Sequence, residues 1–96
     1  MGVGVTWTWD PAKAAANLNK HGVSFALAAK ALEDPLALTV ADPYPDEERW
    51  RTLAMPAIAP AVVLFIVHTW PEDGQPGRII SARRAEARER KDYEEG

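Results

Sequence analysis

The sequence contains no cysteine. That excludes a disulfide-stapled scaffold and thiolate metal sites, and it fits a reducing compartment. Histidine is scarce too: His21 and His68 stand far apart, so no dedicated metal site and no cofactor are expected. No basic region followed by a long apolar run opens the chain, so no signal peptide is expected. The longest apolar run, residues 57–67, is broken by Pro60. It is too short to span a bilayer and reads as a buried strand. These absences point to a cytoplasmic protein with no membrane partner.

An excess of positive charge is also missing. The net charge is −3, whereas phosphate binding normally rests on a basic surface. The arginines are unevenly spread, however. All lie from Arg49 onward, with Arg83, Arg84, Arg88 and Arg90 grouped near the end. A local basic patch can sit on an acidic protein. Equally, these arginines could pair with Glu86, Glu89, Asp92 and Glu94 along a solvated helix.

What is present is a chain of 96 residues, 47% hydrophobic and 26% charged. This supports one globular domain, residues 1–96, with a thin core. Residues 3–9 alternate β-branched or aromatic residues with small ones and read as a strand. Asp10-Pro11 starts a helix that runs to Lys20, with Ala12, Ala15, Ala16 and Leu18 as small packing residues and Gly22 as its stop. Ser24 caps a second helix, whose buried face is Phe25, Ala28, Ala29 and Leu32. Asp34-Pro35 ends it. Strands are expected at residues 36–40, 48–55, 61–69 and 78–82, separated by proline- and glycine-marked turns. From about Arg84 the composition favours helix. Short turns between consecutive strands imply antiparallel pairing, and the whole implies an α+β domain with helices on one face of an antiparallel sheet.

Several segments, taken in order, resemble the BrnT family of type II toxin–antitoxin systems. They are Trp9-Asp10-Pro11-Ala12-Lys13, Asn17, Lys20-His21-Gly22-Val23-Ser24-Phe25, Asp34-Pro35, Glu47-Glu48-Arg49, Ile79-Ile80-Ser81-Ala82-Arg83, Ala85, Glu89-Arg90 and Tyr93-Glu94. The turn at residues 55–60 departs from the family by carrying prolines where many relatives carry glycine. Ala26 and Leu27 replace an acidic residue often found after the Phe. The resemblance implies a RelE-like antiparallel sheet with two N-terminal helices and one C-terminal helix, and endoribonuclease activity. It also implies a cognate BrnA-like ribbon-helix-helix antitoxin, through which alone DNA would be contacted.

Cleaving RNA without a metal needs a base for the 2′-hydroxyl, cations for the phosphorane, an acid for the leaving oxygen, and groups that hold the strand in line. Arg49 matches the family's Glu-x-Arg, and its planar fork suits phosphate. The alternative for Arg49 is a surface ion pair with Glu47. Arg51 shares its sheet face by alternation. Arg83 stands where the last strand meets the last helix, a place that favours anions. Ser81 points to the same face and either assists or caps the helix, and Arg84 adjoins. His21 can shuttle protons beside Lys20, or serve as a helix-end dipole partner. Catalytic candidates are therefore Lys20, His21, Glu47, Arg49 and Arg83. Arg51, Ser81 and Arg84 are candidates for binding RNA. His68, in line with Val62, Leu64 and Ile66, reads as a structural residue. Tyr93 reads as an anchor for the last helix, and Trp9 and Trp50 as core or antitoxin-facing.

A competing expectation is a non-catalytic module of the same fold, or a decayed toxin, acting only through antitoxin or corepressor contacts. The negative charge and the lack of one unambiguous acid–base pair favour it. In either case a thin core with four tryptophans leaves apolar surface exposed, which usually marks an interface.

Overall fold

Asp10 sets the first helix. In a computed structural model that describes residues 7–96, its Oδ1 accepts the N–H groups of Ala12 at 2.8 Å and Lys13 at 3.3 Å. These are two of the donors that the start of α1 (Pro11–His21) leaves without a helical partner. Gly22 takes the left-handed conformation (φ 70°) and returns its N–H to the Leu18 carbonyl at 2.8 Å. Ser24 then caps α2 (Phe25–Ala31), its Oγ accepting the Leu27 N–H at 3.0 Å.

Before α1 lies β1 (Trp7–Thr8). The rest of the strand expected at residues 3–9 falls, over residues 3–6, outside the described residues. After α2 come β2 (Leu38–Asp42), β3 (Arg49–Ala54), β4 (Leu64–His68), β5 (Gly77–Arg84) and α3 (Ala87–Glu95). β2 starts later than expected because Asp34 closes a turn: its Oδ1 accepts the Leu36 N–H at 2.9 Å and its carbonyl accepts that of Ala37 at 3.1 Å. β4 also starts late, because Ala61 sits at φ 78° in the preceding turn. β5 is longer than expected at both ends.

The sheet order is β1-β5-β4-β3-β2. β2 to β5 form the expected antiparallel meander. The sheet as a whole is mixed, however, because β1 runs parallel to β5. Every other strand and the two N-terminal helices separate that pair in sequence, so no short turn dictates its direction.

Both faces of the sheet are covered, where a single covered face was expected. Leu53 and Ala54 are neighbours and both buried, and successive strand residues point to opposite faces. Ala54, Leu64, Ile66, Ile79 and Ala82 pack with Val23, Phe25, Ala28 and Ala31 around α2. Leu53 packs with Val63 and Ala85, bordered by Leu38, Met55, Phe65 and Tyr93, beneath α3. At the centre, Val67 pairs with Ser81 and His68 with Ile79, so Ile80 is an extra, bulged residue. The bulge turns Ile79 and Ala82 to one face and Ser81 and Arg83 to the other.

α1 departs from the expected small-residue packing. Ala12, Ala15, Ala16 and Leu18 are exposed, and the residue it buries is Asn17. The Asn17 amide donates to the carbonyls of Val23 (2.9 Å) and Ala82 (2.8 Å) and accepts the Ala82 N–H at 3.1 Å. Hydrogen bonds to the β5 backbone, rather than an apolar stripe, orient this helix. No helix among the described residues is long and apolar enough to cross a membrane.

Candidate functional site

Alternation along β3 puts Arg49, Arg51 and Leu53 on the α3 side of the sheet, and the pairing of Phe65 with Arg83 brings Arg83 to the same side. Each of these arginines carries a carboxylate. The Arg49 Nε meets Glu47 at 3.0 Å, and the Arg51 Nε meets Asp42 at 2.6 Å. Arg83 makes a two-point pair with Glu89, at 2.8 and 2.9 Å.

Arg83 is the most firmly held. Its guanidinium lies 4.2 Å over the Phe65 ring and also donates to the Arg84 carbonyl at 3.1 Å. The hydrogen bonds between them raise the pKa of Arg83 and hold Glu89 below the usual carboxylate range, outweighing burial. Glu89 also accepts the Glu86 N–H at 2.8 Å, closing a capping box at the start of α3. The anion expected at this helix start is therefore the protein's own, and the cap is Glu86 with Glu89 rather than Ser81. The Arg51 charge also helps to lower Glu89, so Arg51, Arg83 and Glu89 form one cluster. Of the expected pairs along the last helix, this is the one that involves Arg83; Arg90 instead donates to the Ala85 carbonyl at 3.2 Å.

Among the described residues, no strand lies beyond β5 past Arg78, since β1 pairs with Gly77 and Arg78. α1 fills this edge through Asn17. There Lys20, His21 and Ser81 line one shallow depression of about 250 Å³, together with Lys13, Asn17 and Ile80. Among the described residues, neither Lys20 nor His21 takes part in an ion pair. Arg83 follows Ser81 on the same face. The structure thus gathers Lys20, His21, Ser81 and Arg83 around one strand edge, with Arg51 alongside.

Glu47 and Arg49 stand apart from that group. Arg49 lies four residues before Leu53, which is level with Phe65 and Arg83, a displacement of about 13 Å along the strands. Glu47 accepts hydrogen bonds from Arg78 at 2.7 Å and Arg49 at 3.0 Å, and these hold its pKa below the ordinary value. Arg49 in turn lies 3.8 Å over the Tyr44 ring. The surface ion pair foreseen for Arg49 is real, and Arg78 is a partner that sequence reasoning missed. Arg84 alternates away from Arg83, to the side of Leu64, and lines a separate depression with Arg90.

His68 is fully buried. Its Nδ1 lies 2.9 Å from the Thr69 carbonyl, which can only accept, so Nδ1 carries the proton. Its Nε2 then accepts from the Thr52 hydroxyl at 2.6 Å, and Thr52 accepts from Thr39 at 2.8 Å. Burial lowers its pKa. This is a neutral structural histidine, as the sequence suggested. Trp9, partly buried, packs edge-on against the core residue Phe25, centroids 6.1 Å apart. No group of three His, Asp or Glu residues among those described is placed to hold a metal ion.

Roles missed in the sequence belong to Asn17, Asp42 and Arg78, and to Glu89 as a helix cap, its pairing with an arginine having been expected. Asn17 and Glu89 carried a signal, since both lie in the family-like segments. Asp42 and Arg78 carried none, because only the strand register sets Asp42 beside Arg51 and Arg78 beside Glu47.

A comparison with curated proteins gives no match. A family model described as ribonuclease toxin, BrnT, of type II toxin–antitoxin system matches residues 9–89. The matched span runs from Trp9, ahead of α1, to Glu89, the partner of Arg83, and includes every site residue placed above. The chain therefore belongs to the BrnT family of ribonuclease toxins.

Proposed function

We propose that the protein is an endoribonuclease toxin that cleaves RNA without a metal ion, at the free edge of β5, and is neutralised by a cognate antitoxin. What supports the site is the convergence of Lys20, His21 and Ser81 on one depression, with Arg83 next along the same face. In this reading the RNA 2′-oxygen attacks the adjacent phosphorus and the bond to the 5′-oxygen breaks. The products are a cyclic 2′,3′-phosphate and a 5′-hydroxyl. His21 exchanges the protons, since imidazole can both accept and donate one. Lys20 and Arg83 offset the charge that builds on the phosphorane, and Ser81 donates a hydrogen bond to it. Arg51 binds a flanking phosphate. Arg49, oriented by Glu47, holds the strand further along the same sheet face. Arg84 takes no part, because it points the other way.

The antitoxin in this reading is a BrnA-like ribbon-helix-helix protein, and DNA meets the complex through it alone. The order of two N-terminal helices, an antiparallel meander and a C-terminal helix supports a RelE-like assignment of the fold.

The test is RNA cleavage by the purified protein in EDTA. Lys20→Ala, His21→Ala and Arg83→Ala should each lower the rate by about 10²-fold. Full activity in all three would refute the site, and loss of wild-type activity in EDTA would refute metal independence. One observation favours the competing reading of a non-catalytic module: Arg49, Arg51 and Arg83 are already paired with carboxylates. A module of that kind would bind antitoxin, leave RNA intact and spare growth when expressed alone.

A further inference from the structure

We propose that the cleft between the start of β3 and the turn joining β4 to β5 receives a basic segment of a protein partner, an arginine or lysine lying over Trp70 and an apolar side chain filling the pocket beside it. Trp70 is 53% exposed, yet its ring is held firmly from behind. Ring centroids lie 5.5 Å away at His68, 6.3 Å at Trp7 and 6.5 Å at Trp50. His68 is itself locked by the Thr52 and Thr39 hydroxyls. A rigid exposed indole binds with little loss of side-chain freedom.

Two depressions share that ring. One, about 270 Å³, is lined by Thr39, Trp50 and Trp70. The Trp50 Nε1 is buried with no acceptor among the described residues. The other depression, about 460 Å³, sets Glu47, Glu48, Glu72 and Asp73 against Arg78. Glu47 is committed to Arg78 and Arg49. Glu48, Glu72 and Asp73 form no ion pair among the described residues.

The charge decides the occupant. A cation over an indole face is attracted by the ring quadrupole, and here three uncompensated carboxylates surround it. An RNA strand could stack a base on Trp70, but its phosphates would meet those same carboxylates. The protein partner that the family implies is the antitoxin of a type II system, and the cleft asks of it a basic segment with an apolar anchor. Trp50 and His68 face the α1–α2 side of the sheet, whereas Ser81 and Arg83 face the α3 side; Lys20, His21 and Ser81 meet at the β5 edge beside α1, and the cleft touches the proposed RNA path only at Glu47.

The experiment follows the indole N–H signals of the isotope-labelled full chain by NMR during three titrations. The probes are a peptide of alternating arginine and leucine, its glutamate counterpart, and a 2′-O-methyl oligoribonucleotide that cannot be cleaved. The basic peptide should shift the Trp50 and Trp70 signals, more weakly as salt rises. The double change Glu72→Gln, Asp73→Asn sits on an exposed turn tip and keeps the fold, and it should weaken that binding roughly tenfold. Trp70→Ala should abolish it, and Glu94→Gln, Glu95→Gln should leave it alone. No response to the basic peptide, equal binding by the Glu72/Asp73 variant, or a response to the oligoribonucleotide instead would each overturn the proposal. RNA cleavage by the Glu72/Asp73 variant should be unchanged, so failure here is read separately from failure of the cleavage site.

Discussion

Asn17 and Ala82 are joined like two residues of neighbouring strands. The Asn17 amide gives a hydrogen to the Ala82 carbonyl at 2.8 Å and takes one from the Ala82 N–H at 3.1 Å. One side chain of α1 thus stands in for a missing strand at the edge of β5, and it fixes the helix end that carries Lys20 and His21.

Removing that amide leaves the Ala82 backbone groups and the Val23 carbonyl buried and unpaired. Asn17→Ala should destabilise the protein by about 2–4 kcal/mol, seen as a lower denaturant midpoint. A midpoint equal to wild type would show that water or a shift of the helix replaces all three bonds.

His68 should make stability sensitive to mild acid. Burial holds its folded-state pKa below the ordinary 6.5, so as pH falls the unfolded chain takes up the proton first. The stability involved is fully present above pH 6.5 and is lost as pH falls below it, by at most ~1.4 kcal/mol per pH unit. Glu47 and Glu89 are held below 4.5, so their stabilisation is lost in a lower window. Stability measured by denaturation between pH 6.5 and 4.5, above the carboxylate window, should fall with falling pH in the wild type and stay flat in His68→Gln. Equal slopes would assign the effect to another group.

Arg83 and Arg84 are neighbours on opposite faces, which makes them a matched pair for testing the site. Arg83→Ala should lower RNA cleavage by about 10²-fold. Arg84→Ala should leave it near wild type. Similar losses in both would mean that the RNA contacts the helix junction as a whole.

Tyr93 ties α3 to the turn after α2. Its hydroxyl donates to Asp34 Oδ2 at 2.5 Å, beside the Met55 N–H at 2.9 Å. Burial and the Asp34 carboxylate push its phenol up to about 12. Burial also acts to raise Asp34, but its hydrogen bonds from Tyr93, Met55 and Leu36 outweigh that and hold it low. Tyr93→Phe should cost about 1 kcal/mol in stability and remove the most alkaline phenol step from a spectrophotometric titration. A titration unchanged by the substitution would show that the latch does not persist in solution.

Local signals made the helices legible. Asp10-Pro11, Gly22 and Ser24 act within a turn of where they stand, so the ends of α1 and α2 could be read directly. The buried face of α2, Phe25 and Ala28 with Ala29 and Leu32 packed beside them, could be read as well, whereas that of α1 could not. Ala15 and Leu18 look like packing residues, but one buried asparagine rotates α1 so that they face solvent. The parallel pairing of β1 with β5 and the bulge at Ile80 are likewise products of long-range register. The candidate site was legible as a set of residue types and only partly as a grouping in space. Lys20, His21, Ser81 and Arg83 share an edge, whereas Glu47 and Arg49 lie along the sheet and Arg84 behind it. Sequence spacing states what a residue offers, and the register decides whom it meets.

The pairing of Arg49, Arg51 and Arg83 with Glu47, Asp42 and Glu89 has an electrical result. If RNA binds here as proposed, each phosphate that takes an arginine displaces a carboxylate, which then gathers counterions of its own. Net ion release is then small, and added salt weakens that binding far less steeply than the number of arginines on the face would suggest.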